Sequence, residues 1–140
     1  MSSNEMTDRI ARYCAEKQEI AACYLFGSHA AGTNRQGSDL DIAILLSDDI
    51  SPAAYHELSF ELITAVGRTT RLDVHPLIMN NAGDLVLDQV FRKGICLYGS
   101  DTEALRSFRR RRLPMIAEFS YYVAMMQSKL KQRHGGQDHG

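Results

Sequence analysis

Residues 26–44 run Phe26-Gly27-Ser28-His29-Ala30-Ala31-Gly32-Thr33-Asn34-Arg35-Gln36-Gly37-Ser38-Asp39-Leu40-Asp41-Ile42-Ala43-Ile44. The segment is held between two apolar runs. Residues 20–26 (IAACYLF) are short, apolar and closed by Gly27, the pattern of a buried strand. Residues 39–46 (DLDIAILL) alternate at first and then turn fully apolar, a second strand that begins half-exposed and ends buried. Between them the glycines and small polar residues of 27–38 predict a loop, with Ser28–Ala31 able to open a short helix.

Residues i and i+2 of a strand project from one face, so Asp39 and Asp41 stand together, Cα atoms about 7 Å apart. No lysine of the sequence stands beside them to balance two like charges. A cation from solution is the expected compensator, and an oxygen-only donor set favours Mg²⁺ or Mn²⁺ over zinc. Gly27 lets the backbone approach a ligand closely, and a helix opening at Ser28 would present free N–H groups and a hydroxyl to a phosphate. A phosphate seat facing paired carboxylates suits metal-assisted phosphoryl or nucleotidyl transfer, in which two ions about 3.5–4 Å apart steady the attacking and leaving oxygens. That chemistry wants a third carboxylate on a neighbouring strand. Asp73, the acidic residue of the third predicted strand (71–79, RLDVHPLIM), is the candidate.

Gly27-Ser28, ten residues, then Asp39-Leu40-Asp41, with Asp73 further on, resembles the signature of the DNA polymerase β-like nucleotidyltransferase superfamily. The shortness of the chain is similar to its minimal branch, the MNT partners of HEPN proteins in toxin–antitoxin pairs. The resemblance covers residues 20–98. It implies an α/β (α+β) fold in which a small mixed sheet is flanked by helices, with the site at one sheet end. It implies that Asp39, Asp41 and Asp73 are the catalytic residues and hold Mg²⁺, that Gly27 and Ser28 grip the β- and γ-phosphates of ATP, and that Asp73 helps activate the acceptor hydroxyl. In that branch AMP passes from ATP to a tyrosine of a HEPN ribonuclease toxin, which silences it. Many members carry a basic residue between the Gly-Ser and the next glycine. Here that segment is His29-Ala30-Ala31-Gly32, so Arg35 stands as a substitute triphosphate contact; Ser38 is read either as a nucleotide contact or as a turn residue that caps the loop.

The rest of the chain reads as one small domain of 140 residues, long enough to bury its own core. A net charge of −1 argues against a general nucleic-acid coat. That balance hides an asymmetry. Residues 1–100 carry a net −5 and residues 101–140 a net +4, with four consecutive arginines at Arg109–Arg112. We therefore expect a nucleotidyltransferase core over 1–100, a helical C-terminal arm over 101–133 that packs on the core or a partner, and a disordered tail over 134–140. Pro114 is expected to break the arm and open its final helix.

Elsewhere, 5–18 follows helical spacing, Ser51-Pro52 is a capped helix start, and 82–93 forms a helix closed by Gly94 in the role of a left-handed C′ glycine. Residues 95–98 form a short fourth strand. Pro76 in the third strand calls for a sheet edge, a strand end or a bulge. No secretory signal or 20-residue apolar span is present, and Cys14, Cys23 and Cys96 form no C-x-x-C pair, which points to reduced thiols in a cytoplasmic protein. Two other functions compete with protein adenylylation: an antitoxin that only binds and covers its partner, and a nucleotidyltransferase acting on a small molecule of aminoglycoside type.

Overall fold

The computed structural model describes residues 1–138, with side chains described through Arg133. Helix α1 (Ser3–Glu16) leads into strand β1 (Ile20–Phe26), the one-turn helix α2 (Ser28–Ala31) and strand β2 (Leu40–Leu46). A 3₁₀ turn (Pro52–Ala54) opens α3 (Tyr55–Thr70). Strand β3 (Val74–Ile78), a second 3₁₀ turn (Met79–Asn81), α4 (Asp84–Lys93), β4 (Ile95–Tyr98) and the long α5 (Glu103–Asp138) follow. The four strands form one mixed sheet in the order β3-β2-β1-β4. β1 runs antiparallel to both neighbours and β2 parallel to β3. A parallel pair needs a crossover, and α3 supplies it.

The alternation of strand side chains divides the core in two. Cys23, Leu25, Leu40, Ile42 and Ile44 face α1 and α3, where Ile10, Cys14 and Leu62 are fully buried. Tyr24, Ala43 and Leu45 face α4 and α5, where Leu87, Val90, Leu105 and Phe108 close over them. By the same alternation Asp39 and Asp41 belong to the α4/α5 face, beyond the part these helices cover. β3 is an edge strand, which is why Pro76 is tolerated in it. Its regular part begins at Val74, three residues later than the expected start at residue 71, because Arg71 is spent capping α3. Cys14 and Cys23 are buried and Cys96 half-buried. Cys14 as a hydrogen-bonding neighbour, together with burial, pushes the Cys23 thiol well up, so it stays protonated and inert. Among the described residues no helix is long and apolar enough to cross a membrane.

Three expectations need correction. Gly94 is not left-handed: its φ is −77°, and it is glycine because a Cβ there would strike the Val90 carbonyl oxygen and crowd that of Leu25. Pro114 does not break α5, which runs through it. The proline forfeits one hydrogen bond, to the carbonyl of Arg110, and adds a steric cost of about 3 kcal/mol. Arg110 is exposed, so that carbonyl can turn to water, while Phe108 and Ile116 anchor the helix to the core on either side. The expected tail at 134–140 is helical as far as Asp138. Its side chains, and residues 139–140 altogether, lie outside the described residues.

The arginine run is distributed around α5, as four successive helical positions must be. Arg109 reaches the Tyr24 hydroxyl (3.5 Å) and lies over the Phe91 ring. Arg110 meets Glu103 (3.5 Å) and Arg111 meets Asp48 (4.0 Å). Arg112 donates to Asp84 (3.0 Å) and to the Ala82 carbonyl (2.9 Å). Arg109 and Arg112 clamp the first half of the helix to the core, while Arg110 pairs within the helix.

Candidate active site

The site forms where β1 ends and β2 begins. Phe26 lies opposite Asp41 in the antiparallel pair. The chain then turns through Gly27 at φ 73°, ψ −153°, a conformation essentially closed to other residues. A second constraint acts on the same atom: a Cβ on Gly27 would fall on Oδ2 of Asp41. The Gly27 backbone and the Asp41 carboxylate are thus packed face to face, and glycine is required twice over. Ser28 opens α2, which closes after one turn with Gly32 in the left-handed region at φ 74°.

Asp39 and Asp41 flank the fully buried Leu40. The Leu40 N–H donates to the Asp73 carbonyl (2.8 Å), which sets Asp39 and Asp73 side by side at the entrances of the parallel strands β2 and β3. One step further in, Asp41 is paired with His75. His75 Nε2 lies 3.5 Å from Oδ2 of Asp39, with both side chains open to solvent. Burial raises the Asp41 pKa above its ordinary 3.8, and the charge of Asp39 pushes it the same way; His75 and His29 act in the opposite direction. The pair therefore carries negative charge that its surroundings do not fully balance.

The expected aspartates are brought together in register but are not drawn into a closed cage. Among the described residues no three His, Cys, Asp or Glu side chains are grouped closely enough to hold an ion. Asp73 is exposed and lines a cleft of about 470 Å³ with Arg71 and His75. The donor set still fits a hard divalent cation: two carboxylates on one face, a third on the adjacent strand, all oxygen donors.

The other two candidate nucleotide contacts, Arg35 and Ser38, are placed differently. Ser38 and Arg35 close a turn on each other: the Ser38 hydroxyl accepts from the Arg35 N–H (2.7 Å), and the Ser38 N–H donates to the Arg35 carbonyl (2.9 Å). Arg35 lines a cleft of about 640 Å³ with Ser2, Ser3, His29 and Gln36 that includes none of the three aspartates. His29 Nε2 lies 3.1 Å from the Ser38 carbonyl and ties α2 to this turn. His75 is the residue at the site that was not among the expected site residues. Its period-two spacing from Asp73 was the available signal, and its pairing with Asp41 depends on a parallel register that the sequence does not spell out.

The family described as Polymerase beta, Nucleotidyltransferase matches residues 8–103, a span that includes Gly27, Ser28 and all three aspartates. The protein adenylyltransferase MntA of Shewanella oneidensis is 34% identical over 85 residues, which make up 61% of this chain and 58% of that protein. The chain thus aligns with little more than half the length of that relative. Among solved structures, a toxin–antitoxin complex with AMP-PNP contains a chain of the same fold, with a TM-score of 0.66, 22% identity, and 93% of this chain and 98% of that chain covered. A tri-AMPylated Shewanella oneidensis HEPN toxin in complex with its MNT antitoxin gives a TM-score of 0.65 at 19% identity, over 92% of this chain and 98% of that one. With the motif on the strands that such chemistry requires and the family matched over more than half its length, the chain belongs to the polymerase beta nucleotidyltransferases.

Proposed function

We propose that this protein is a Mg²⁺-dependent adenylyltransferase that acts as an antitoxin, moving AMP from ATP to a tyrosine hydroxyl of a cognate HEPN ribonuclease toxin. The observation that carries the reading is the packing of Gly27 against Asp41. It brings a backbone able to accept a triphosphate to the edge of a carboxylate pair on one strand. The MntA relative, named as a protein adenylyltransferase, and the AMP-PNP and AMPylated-toxin complexes of the same fold support it.

Asp39 and Asp41, with Asp73, are the residues that would hold the divalent cation, which supplies charge neutralisation for the triphosphate. Gly27 brings the backbone against Asp41, and Ser28, the next residue, opens α2 with a hydroxyl to offer the phosphates. The tyrosine oxygen forms a bond to the α-phosphorus. The bond from that phosphorus to the α–β bridging oxygen breaks, and pyrophosphate leaves. Asp73, exposed at the strand entrance, takes the hydroxyl proton and passes it to water. The AMPylated-toxin complex of the same fold favours an acceptor borne on another protein over an aminoglycoside.

The test is label transfer from α-labelled ATP to the purified toxin, with the modified residue located by peptide mass spectrometry. Transfer to tyrosine, lost in the Asp39→Asn/Asp41→Asn double variant, is the expected result. Full transfer by that variant would overturn the assignment.

A further inference from the structure

Helix α5 buries one stripe of its surface and then keeps presenting that stripe with nothing on it. Leu105, Phe108 and Ile116 are buried in the core. At 100° per residue, Phe119, Tyr122, Met126 and Leu130 continue the same side of the helix. They are exposed at 38, 56, 66 and 52%. The uncovered stretch from Phe119 to Leu130 is about 17 Å long, room for three turns of a partner helix. Its phenylalanine, tyrosine and methionine side chains are of the kind that build adaptable interface cores.

Charge selects the occupant. Between Phe119 and Arg133 the arm carries Lys129, Lys131 and Arg133 and no carboxylate. A second copy laid parallel would set these cations against themselves, and one laid antiparallel over the stripe would offer three cations a single carboxylate, Glu118. Neither arrangement balances the three cations. A bilayer would have to take up Arg133, which falls in line with the apolar stripe itself. A protein helix with acidic flanks meets all of these features.

The position of the stripe adds a constraint. α5 leaves the core beside Asp48 and Asn80, past the last residue of β2, whereas Asp39 and Asp41 mark its first residues. The seven residues of β2 separate the two ends by roughly 20 Å. The acceptor is therefore gripped at one end of the sheet and modified at the other.

We propose that the exposed stripe from Phe119 to Leu130 docks an acid-flanked apolar helix of the protein that the active site modifies. The identity of that partner rests on the adenylyltransferase reading; the docking surface does not.

The experiment uses the full chain and the toxin. A Phe119→Glu/Met126→Glu variant and a Lys129→Glu/Arg133→Glu variant change exposed positions only, and circular dichroism checks that α5 persists. Toxin binding is measured without ATP. The apolar variant is expected to weaken it by about thirty-fold, the size of an interface hot-spot loss. The charge variant is expected to weaken it less and to abolish its salt dependence. In the transfer assay both raise KM for the toxin and leave kcat unchanged. Wild-type binding and KM in both variants overturn the docking proposal even where AMP transfer is intact. Binding lost in the variants upholds it even where no AMP is transferred. A dimer of the chain alone that the apolar variant converts to monomer, or anionic phosphatidylserine vesicles bound by the wild type and released by both variants, assigns the stripe to another occupant and overturns it.

Discussion

The two ends of β2 are built on opposite terms. At its C-terminal end polar groups are paired with one another. The Asn80 side chain accepts from the Leu46 N–H (2.8 Å) and donates to the Leu46 carbonyl (2.9 Å), extending the ladder where β3 has ended. Ser47 donates to the Glu19 carbonyl (2.9 Å), and Arg112 clamps Asp84 and Ala82 close by. At its N-terminal end two carboxylates share a face, a glycine sits in a conformation few residues can take, and Asp39, Asp73 and His75 stand in solvent. One end spends its polar groups on cohesion. The other holds them in solvent, with His75 3.5 Å from Asp39, which leaves them available to a ligand.

That contrast is broken most sharply by removing the charge at the active end. Asp39→Asn/Asp41→Asn is expected to cut transfer by roughly a thousand-fold, since the several kcal/mol that a bound metal supplies goes with its ligands. The folded state should be at least as stable as before, as read from urea melts. A large loss of stability would mean that the pair is structural.

Glycine comes next. Gly27→Ala must relieve both the backbone conformation and the collision with Asp41, and should cost about 2–3 kcal/mol as well as transfer. Gly37→Ala is the control. Its φ of 82° is equally left-handed, but nothing lies within reach of a Cβ there. It should cost only the backbone term, about 1 kcal/mol, and leave transfer intact. Equal costs would show that Asp41 yields easily and that the packing is loose.

At the cohesive end, Asn80→Ala leaves two partly buried backbone groups of Leu46 unpaired. The expected loss is about 2 kcal/mol in urea unfolding, with no change in transfer. A fall in kcat would mean that the two ends are coupled through β2.

How far these ends were legible in the sequence follows the same division. Gly27-Ser28 and Asp39-Leu40-Asp41 are local, and strand periodicity alone put both aspartates on one face. Asp73 was found as the acidic residue of its strand, but its place beside Asp39 comes from the parallel pairing of β2 with β3, a long-range contact. The place of His75 beside Asp41 depends on that register entirely. The arm shows the opposite failure. Pro114 is a strong local signal for a break, and it was overruled because core contacts on both sides of it outweigh one lost hydrogen bond. Gly94 was placed at the right boundary for the wrong cause: crowding by the Val90 carbonyl and not a left-handed turn. Asn80 gave no signal, because an asparagine after a strand reads as a turn residue.

Asp41 alone gives a pH-dependent version of the contrast. Its pKa is raised by burial first and by Asp39 second, so the folded protein holds this proton more tightly than the unfolded chain. The sign follows: stability falls as pH rises from 3.8 through the raised value, and the full cost is present above it. Asp41→Asn should therefore raise the Tm near neutral pH, and the gain should shrink toward zero as pH falls to the ordinary aspartate range. A gain that does not vary with pH would place its origin outside this titration.

The smallest effect tests whether strain near the active end is compensated locally. Arg71 caps α3 in the left-handed conformation, φ 59°, with its N–H bonded to the Gly67 carbonyl (2.8 Å). It is the sole non-glycine residue with positive φ among the described residues. Replacing it by glycine relieves about 1–2 kcal/mol of backbone cost. Glycine gives back about 0.5–1 kcal/mol through the greater freedom of the unfolded chain. The substitution also removes a cation from a helix C-terminus, worth about 0.3–1 kcal/mol at low ionic strength. These contributions nearly cancel, so Arg71→Gly should shift stability by less than about 0.5 kcal/mol in dilute buffer. Only the last of them is screened, so the balance should tilt toward the glycine variant as salt is added. A loss of more than about 1 kcal/mol that salt does not alter would show that the guanidinium is held by packing in the cleft it shares with Asp73 and His75, and that this corner of the active end is built for cohesion after all.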